Sequence, residues 1–255
     1  MMRKIAIILS YDGTNYHGWQ MQANSVSIQG VLTSAASSLF DEEIKITGCG
    51  RTDSGVHAKM YVASFDTSSE IPLDRIAYGL NSMLPPDISV KCAFVVDDEF
   101  HPVHSCIEKE YTYYIYTDTV RDPFLEKRAL HYRYPFDLER VRAAAAHFVG
   151  THDFSSVRSL GTPVKSTVRT VFKCDVTKEN NIISVRISAN GFLYNMARAI
   201  VGTLLDVASG KISPEDIPDI LKSCDRSRAG ATAPAHGLYM TNVVYPERFG
   251  LKQED

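Results

Sequence analysis

The chain has 255 residues, of which 44% are hydrophobic and 22% charged, and its formal net charge at pH 7 is −3. This composition lies in the ordinary globular range, so we expect one large domain or two packed halves with a sizeable core. A chain of negative net charge is not a polycation that coats nucleic acid indiscriminately, so any nucleic-acid site must be a local feature.

The cysteines and histidines predict neither a disulfide framework nor a metal centre. The five cysteines form no C-x-x-C pair, which favours free thiols in a reducing compartment. His101 and His104 form the only close histidine pair and have no obvious third ligand, so we expect no metal. The apolar run after Lys4 is too short for a signal peptide or a membrane span, which predicts a cytoplasmic protein without membrane contact.

The first hundred residues alternate strand and helix signals. Apolar runs predict strands over residues 3–10, 44–49, 60–66 and 88–96, with a loop over 50–58 between two of them. Ser27 is typical of a helix cap, and a second helix is predicted over residues 72–84. One face of the first helix carries Ile28, Val31, Leu32, Ala35 and Leu39.

The second half repeats this alternation. Strands are predicted over residues 105–117, 168–177 and 182–189, the last two as an antiparallel hairpin. Asp137 caps one predicted helix, and a mostly apolar helix over residues 192–208 ends near Gly210. Ser213 and Pro214, followed by two acids, mark the start of another.

No Gly/Ser-rich or Pro-rich linker divides the chain. We therefore predict an α+β fold of two mixed halves, residues 1–104 and 105–255. The halves are expected to share a largely antiparallel sheet, with helices packed outside and a central cleft.

The loop around Asp53 is the most informative segment. Glycines at positions 48, 50 and 55 let the backbone adopt conformations that thrust a short side chain outward. A phosphate-binding loop is disfavoured, because an anionic side chain at position 53 repels a pyrophosphate. An aspartate in a glycine-rich loop is also common as an ordinary turn residue, so the residue pattern alone leaves both interpretations open.

Six motifs in order resemble those of TruA-type tRNA pseudouridine synthases. They are YDGTNYHGWQ at 11–20, GRTDSGVHA at 50–58, KEYTYY at 109–114, GTHDF at 150–154, NMARAIVG at 195–202 and ATAPAHGLY at 231–239. The resemblance implies the pseudouridine synthase fold, with RNA bound in the central cleft. It also implies a tRNA partner, a homodimer, no metal and no small-molecule cofactor.

The resemblance also implies roles for individual residues. Asp53 corresponds to the family's nucleophile, Tyr111 to its cleft tyrosine and Arg198 to the arginine that pairs with the carboxylate. Arg198 is the only charged residue between positions 192 and 205, and burying it is costly unless a carboxylate meets it. Gly202, one turn on, is expected to leave room beside the guanidinium. Arg51 is implied to assist base flipping, and Thr52 belongs to the same substrate-binding motif.

One stretch of the chain favours contact with an RNA backbone. Residues 154–174 contain no Asp or Glu, although a solvated surface strand is an equally good interpretation of that stretch alone. We expect phosphate contacts from Lys165, Arg169, Arg226 and Arg228.

The expected reaction is isomerisation of uridine to pseudouridine in the anticodon stem-loop, at tRNA positions 38, 39 and 40, after base flipping. The first alternative is a tRNA-binding or tRNA-folding module without chemistry. Asp53 argues against it, because a carboxylate weakens binding to a polyanion. The second alternative, a carboxylate glycosidase, needs a second acid that no nearby residue supplies.

Overall fold

The computed structural model describes residues 2–161 and 163–251. The chain divides into two compact units: the first comprises Met1–Ile107 and Tyr239–Asp255, the second Glu108–Leu238. The sequence-based division into 1–104 and 105–255 assigns the last strand to the second half, whereas these units assign it, from Tyr239 onward, to the first.

The first unit contains a mostly antiparallel sheet. Its strands are β1 (Arg3–Tyr11), β2 (Thr47–Gly48), β3 (His57–Thr67), β4 (Ile88–Val96) and β10 (Leu238–Val244). Their order is β4-β1-β3-β10, with β2 also on β3. Strand β1 pairs antiparallel with both neighbours, and β10 runs parallel to β3. The fully buried run from Ile5 to Leu9 makes β1 the centre of this core.

Two helices belong to this unit, α1 (Ile28–Phe40) and α2 (Leu73–Met83). The Ser27 hydroxyl accepts a hydrogen bond from the Gly30 N–H at 3.2 Å, so the predicted cap is confirmed. Ile28, Leu32 and Ala35, three of the residues predicted for the apolar face of α1, are buried.

The strand predicted over residues 44–49 is wrong except at Thr47 and Gly48. The backbone of this segment bonds to side chains of α1 instead of a strand ladder. The Ile44 N–H donates to Ser37 Oγ at 3.1 Å, and the Ile46 carbonyl accepts from Gln29 Nε2 at 2.8 Å. The predicted loop is also shorter, because β3 begins at His57.

The second unit is also largely antiparallel in its strand pairing. Its strands are β5 (Glu108–Tyr116), β6 (Leu130–His131), β7 (Gly150–Asp153), β8 (Val168–Glu179) and β9 (Ile182–Ala189), in the order β5-β9-β8-β7 with β6 on β5. The predicted β8–β9 hairpin is confirmed. Residues 150–153, which belong to the GTHDF motif, form a strand because they pair with β8.

Three helices complete the unit: α3 (Leu138–Ala146), α4 (Met196–Ala208) and α5 (Ile217–Ser223). The predicted Asp137 cap is confirmed, with the Arg140 N–H donating to its carboxylate at 3.0 Å. Helix α4 begins four residues later than predicted, because Asn195 has a left-handed backbone (φ 59°) that an α-helix cannot contain. The α+β class is confirmed. None of the helices within residues 2–161 and 163–251 combines the length and apolar character of a membrane span.

Candidate active site

An aromatic cluster in the first unit supports the loop that carries Asp53. The rings of Trp19 and Tyr61 stack with centroids 4.1 Å apart, and Tyr11 lies 5.6 Å from Tyr61. All three rings are buried. Gly48 lies against Trp19 and Tyr61, where a Cβ would clash with both side chains. The residue is glycine because the chain passes directly over the rings.

The first part of the loop is bonded to this cluster. Tyr61 donates its hydroxyl hydrogen to the Gly50 carbonyl, and the Tyr11 hydroxyl lies 2.8 Å from Thr52 Oγ1. The Trp19 N–H donates to the Thr52 carbonyl at 3.1 Å. Thr52 is 7% exposed, so its hydroxyl is used within the protein, and its predicted contact with RNA stays a prediction. Arg51, beside it, is exposed.

The second part of the loop turns tightly after Asp53. The Val56 N–H donates to the Asp53 carbonyl at 3.1 Å, and Gly55 has the left-handed backbone (φ 78°) that such a turn requires. The Tyr16 carbonyl accepts from Ser54 Oγ at 3.2 Å and from the Gly55 N–H at 3.3 Å. Asp53, partly buried, therefore stands between two flanks that are fixed by hydrogen bonds.

Sequence reasoning assigned no role to His57, which anchors the start of β3. This residue is 1% exposed, and its ring stacks on Tyr239 with centroids 4.4 Å apart. Its Nδ1 lies 3.0 Å from an Asp12 carboxylate oxygen and 3.1 Å from the Gly13 nitrogen. The sequence did offer one indication of this contact: His57 belongs to the motif at 50–58, and Asp12 and Gly13 belong to the motif at 11–20.

In the second unit, two tyrosines on the same face of β5 have different partners. Tyr111 is 8% exposed and packs edge-to-face on Phe192, with centroids 4.8 Å apart and an interplanar angle of 84°. Tyr113 is fully buried and donates to the Pro234 carbonyl at 2.8 Å. Burial raises the pKa of the Tyr113 hydroxyl, and the nearby charge of Arg198 partly opposes the shift.

Arg198 lies on α4, where its side chain bonds to two neighbouring segments. Its Nε donates to the Ala233 carbonyl at 2.7 Å, and a terminal nitrogen donates to Asn195 Oδ1 at 2.9 Å. The expectation that Gly202 leaves room beside this guanidinium is wrong. A Cβ at Gly202 would clash with the Ala231 carbonyl, so the glycine admits the backbone of residues 230–233 against the helix.

The predicted phosphate-binding cations differ in how much of their hydrogen-bonding capacity is used within the protein. Lys165 is exposed. Arg169 donates to the Ser166 and Val168 carbonyls at 2.9 and 2.6 Å. Arg226 donates to the Ala229 carbonyl, and Arg228 to the Asp219 carbonyl, both at 3.3 Å.

The histidine pair considered for metal binding has a local structural use. Nδ1 of His101 accepts the N–H of Val103 at 3.1 Å and of His104 at 3.3 Å. Across the two described ranges, no group of three or more His, Cys, Asp or Glu side chains has an arrangement that could hold a metal ion.

Comparison with known proteins identifies the family. Residues 7–104 and 144–246 match the family model described as tRNA pseudouridine synthase. The chain is 46% identical over 244 residues to the tRNA pseudouridine synthase A of Thermoanaerobacter sp. strain X514, covering 96% of this chain and 100% of that relative. It is 43% identical over 244 residues to the one of Bacillus subtilis strain 168, covering 95% and 99%.

A solved structure titled "Crystal Structure of a Cbf5-Nop10-Gar1 Complex" also matches, at 12% identity and a TM-score of 0.39. The match covers 92% of this chain and 57% of that one, and this similarity is too low to add to the assignment. The family assignment rests on the two long segments that match the family model and on near-complete coverage of relatives above 40% identity. The chain therefore belongs to the tRNA pseudouridine synthases of the TruA type, which are isomerases that convert uridine to pseudouridine in tRNA.

Proposed function

We propose that this enzyme modifies uridines at positions 38, 39 and 40 of the tRNA anticodon stem-loop, with Asp53 as its nucleophile after base flipping. The observation that carries the assignment of Asp53 is the set of hydrogen bonds on both sides of it. Thr52 is bonded through its carbonyl and hydroxyl, and Ser54 and Gly55 are bonded to the Tyr16 carbonyl. A nucleophile held this way loses little orientational freedom when it reacts.

The reaction needs a group that holds either the ribose or the uracil base while the bond between them is broken. The bond between C1′ of the ribose and N1 of uracil breaks, the base rotates, and a bond forms between C1′ and C5. The proton on C5 is then lost and N1 gains one, so atoms and charge balance without an oxidant or a second substrate. The Asp53 carboxylate either displaces N1 at C1′ and is displaced in turn by C5, or adds to C6 of the base and is eliminated after the bond between C1′ and C5 has formed.

The remaining roles follow the family pattern. Tyr111 stacks against the flipped base and takes part in the loss of the C5 proton. The edge-to-face contact with Phe192 supports this role, because it fixes the plane of the Tyr111 ring. Arg198 is the cation assigned to the carboxylate, and Arg51, which is exposed, is assigned to base flipping. The non-catalytic alternative is set aside, because the family is one of enzymes.

Tritium release tests the role of Asp53 directly. Transcripts labelled at C5 of uridine lose tritium to water only when product forms. We expect Asp53→Asn to release less than about 1% of the wild-type amount while the Kd for tRNA stays within about threefold, because an amide keeps the shape of the side chain but is not a nucleophile.

The matched control is Asp66→Asn, which makes the same chemical change on β3, where Asp66 pairs with Lys4 at 3.3 Å. This variant should retain full turnover. Transcripts in which position 38, 39 or 40 alone carries uridine test the target. Turnover by Asp53→Asn above about 1% would overturn the nucleophile, and release from none of the three transcripts would overturn the assigned positions.

We also infer, from the resemblance alone, that the enzyme is a homodimer and acts in the cytoplasm, where its tRNA substrate is found. Sedimentation velocity at micromolar concentration tests the first inference, with a monomer as the contradicting result. Fractionation of the cells that contain it tests the second, with recovery outside the cytosolic fraction as the contradicting result.

A further inference from the structure

A short turn in the first unit touches the second part of the Asp53 loop at two points. It is one turn of 3₁₀ helix, Gly13–Asn15. Tyr16 closes it, because the Tyr16 N–H donates to the Gly13 carbonyl at 3.0 Å. Gly13 lies so close to the Val56 carbonyl that a Cβ would clash with it. The Tyr16 carbonyl accepts both hydrogen bonds from residues 54 and 55. The position of this turn therefore determines the position of the loop.

Asp87, which lies just before β4, holds the same turn from its other side. Its carboxylate accepts a 2.5 Å hydrogen bond from the Tyr16 hydroxyl, and its carbonyl accepts the Asp12 N–H at 2.9 Å. One bond is made by Tyr16 and the other by Asp12, just before Gly13, so together they fix the orientation of the turn as well as its distance from Asp87. A charged acceptor makes the first of these bonds a strong one.

Tyr16 thus connects Asp87 to the catalytic loop through a single residue. The side chain is 6% exposed, and its hydroxyl and its carbonyl bond to opposite partners. Burial, followed by the hydrogen bond to Asp87, raises the pKa of the Tyr16 hydroxyl. The hydroxyl is therefore protonated at neutral pH and can donate to Asp87.

We propose that Tyr16 and Asp87 are positioning residues for the isomerisation: their hydrogen bond fixes the turn at 13–16, and this turn aims Asp53. The proposal rests on Asp53 as the nucleophile. Neither residue needs to touch the substrate, because the effect passes through the Ser54 hydroxyl and the Gly55 N–H, which both bond to the Tyr16 carbonyl. A displacement of about 1 Å at a reacting atom can cost about 100-fold in rate.

The test is the division of the effect between kcat and tRNA affinity in Tyr16→Phe and Asp87→Ala. Each removes one partner of the hydrogen bond and leaves the Tyr16 carbonyl in place. We expect kcat, measured by tritium release at saturating tRNA, to fall about 10- to 100-fold in each, with the Kd for tRNA within about threefold. Because both changes break the same bond, the double variant should be no slower than the slower single variant.

Two further variants separate positioning from loss of stability. Tyr245→Phe is the matched control, because its hydroxyl donates to the Pro102 carbonyl at 2.7 Å in the same unit and does not bond to the loop. It should lower Tm as much as Tyr16→Phe does and leave kcat unchanged. Asp87→Asn keeps an oxygen that can accept from Tyr16, so it should recover most of the kcat that Asp87→Ala loses.

The outcomes are distinct. Wild-type kcat in Tyr16→Phe and Asp87→Ala, with Asp53→Asn inactive, overturns the positioning role and leaves the proposed nucleophile standing. Full turnover by Asp53→Asn overturns the proposed function itself. A multiplicative loss in the double variant, or an equal loss of kcat in Tyr245→Phe, shows that the two residues do not act through their shared hydrogen bond and also contradicts the proposal.

Discussion

Arg198 and Ala233 are bonded to each other twice. The Nε of Arg198 donates to the Ala233 carbonyl at 2.7 Å, and the Ala233 N–H donates to the Arg198 carbonyl at 3.0 Å. Together the two bonds satisfy both main-chain groups of Ala233 with one helical residue. The arginine assigned to the reaction therefore also holds the segment at 230–234 against α4, and its replacement affects both stability and activity.

This dual use predicts the effect of Arg198→Lys. Lysine keeps the positive charge but has no nitrogen at the Nε position, so the bond to Ala233 is lost. Loss of a hydrogen bond to a charged group costs about 1.5 to 3 kcal/mol, and each kcal/mol lowers Tm by about 2 to 4 °C at this chain length. We expect Tm, followed by circular dichroism, to fall by several degrees and turnover to fall at least 10-fold.

The control for this prediction is Arg186→Lys on β9. Arg186 is half-exposed and lies 3.7 Å from Glu110, so the same substitution there should change the free energy of unfolding by less than about 0.5 kcal/mol. Equal Tm values for Arg198→Lys and the wild type would show that the bond to Ala233 contributes little to stability.

Gly202→Ala should be strongly destabilising. The new methyl group would meet the Ala231 carbonyl, and because that atom belongs to the main chain, the segment must move away from the helix. Displacement also breaks the bond from the Gly230 N–H to Thr203 Oγ1, which is 3.0 Å long and buried. We expect a loss of about 3 kcal/mol or more in urea unfolding. Gly191→Ala, where a Cβ meets only the Arg169 side chain at 3.5 Å, should cost less than about 1 kcal/mol.

The sequence predicts elements whose signals are local. Ser27 and Asp137 cap their helices as predicted, because a side chain that bonds to an N–H three residues on needs no tertiary partner. The β8–β9 hairpin is also predicted correctly, because its two strands follow each other directly in the sequence. Such patterns also predict the loop around Asp53, because glycines flank the only acid between positions 44 and 65.

Features that depend on distant partners are not predictable from these patterns. Tyr111 and Tyr113 occupy equivalent positions on one face of β5, yet Tyr111 packs on Phe192 whereas Tyr113 donates to the carbonyl of Pro234, 121 residues away. The late start of α4 results from the left-handed backbone of Asn195, whose Nδ2 donates to Ser159 Oγ at 2.9 Å. These contacts join residues that are far apart in the sequence, so the spacing of residue types does not predict them.

The salt dependence of tRNA binding should identify which cations contact phosphate. Each phosphate contact that is lost reduces the slope of log K against log salt by about 1. Lys165 is exposed, whereas Arg169 already donates to two carbonyls, and partial burial lowers the pKa of its guanidinium. We therefore expect Lys165→Ala to flatten the slope more than Arg169→Ala, in filter binding between 50 and 300 mM salt, a range that brackets about 0.15 M.

Lys178→Ala provides the matched control for this titration. It removes the same charge from an exposed position in the same unit, near the β8–β9 turn, so it should leave the slope unchanged. Equal slopes for Lys165→Ala and Lys178→Ala would show that Lys165, in the stretch 154–174 that contains no Asp or Glu, does not contact the RNA backbone.

Asp153 should contribute stability that depends on pH. Burial alone would raise its pKa, but hydrogen bonds from the Ser155 hydroxyl at 2.6 Å and N–H at 2.9 Å, a third from Thr167 Oγ1 at 2.9 Å, and the charge of Arg158 outweigh that effect. The pKa of Asp153 is therefore lower in the folded protein than in the unfolded chain. A depressed carboxylate pKa stabilises the fold above the unfolded value of about 3.9, and this stability is lost as the pH falls through the folded value.

Asp153→Asn should consequently reduce the free energy of unfolding by about 1 to 2 kcal/mol at pH 7, because the amide accepts these bonds less strongly. The difference from wild type should shrink steadily below about pH 4, since the carboxylate of the unfolded wild-type chain then takes up a proton more readily than that of the folded protein. Urea unfolding at pH 7 and pH 3 measures both values. Asp175→Asn, which removes an exposed carboxylate paired with Lys173 at 3.0 Å, should cost less than about 0.5 kcal/mol at either pH. A deficit in Asp153→Asn of equal size at both pH values would mean that its hydrogen bonds do not depend on the charge.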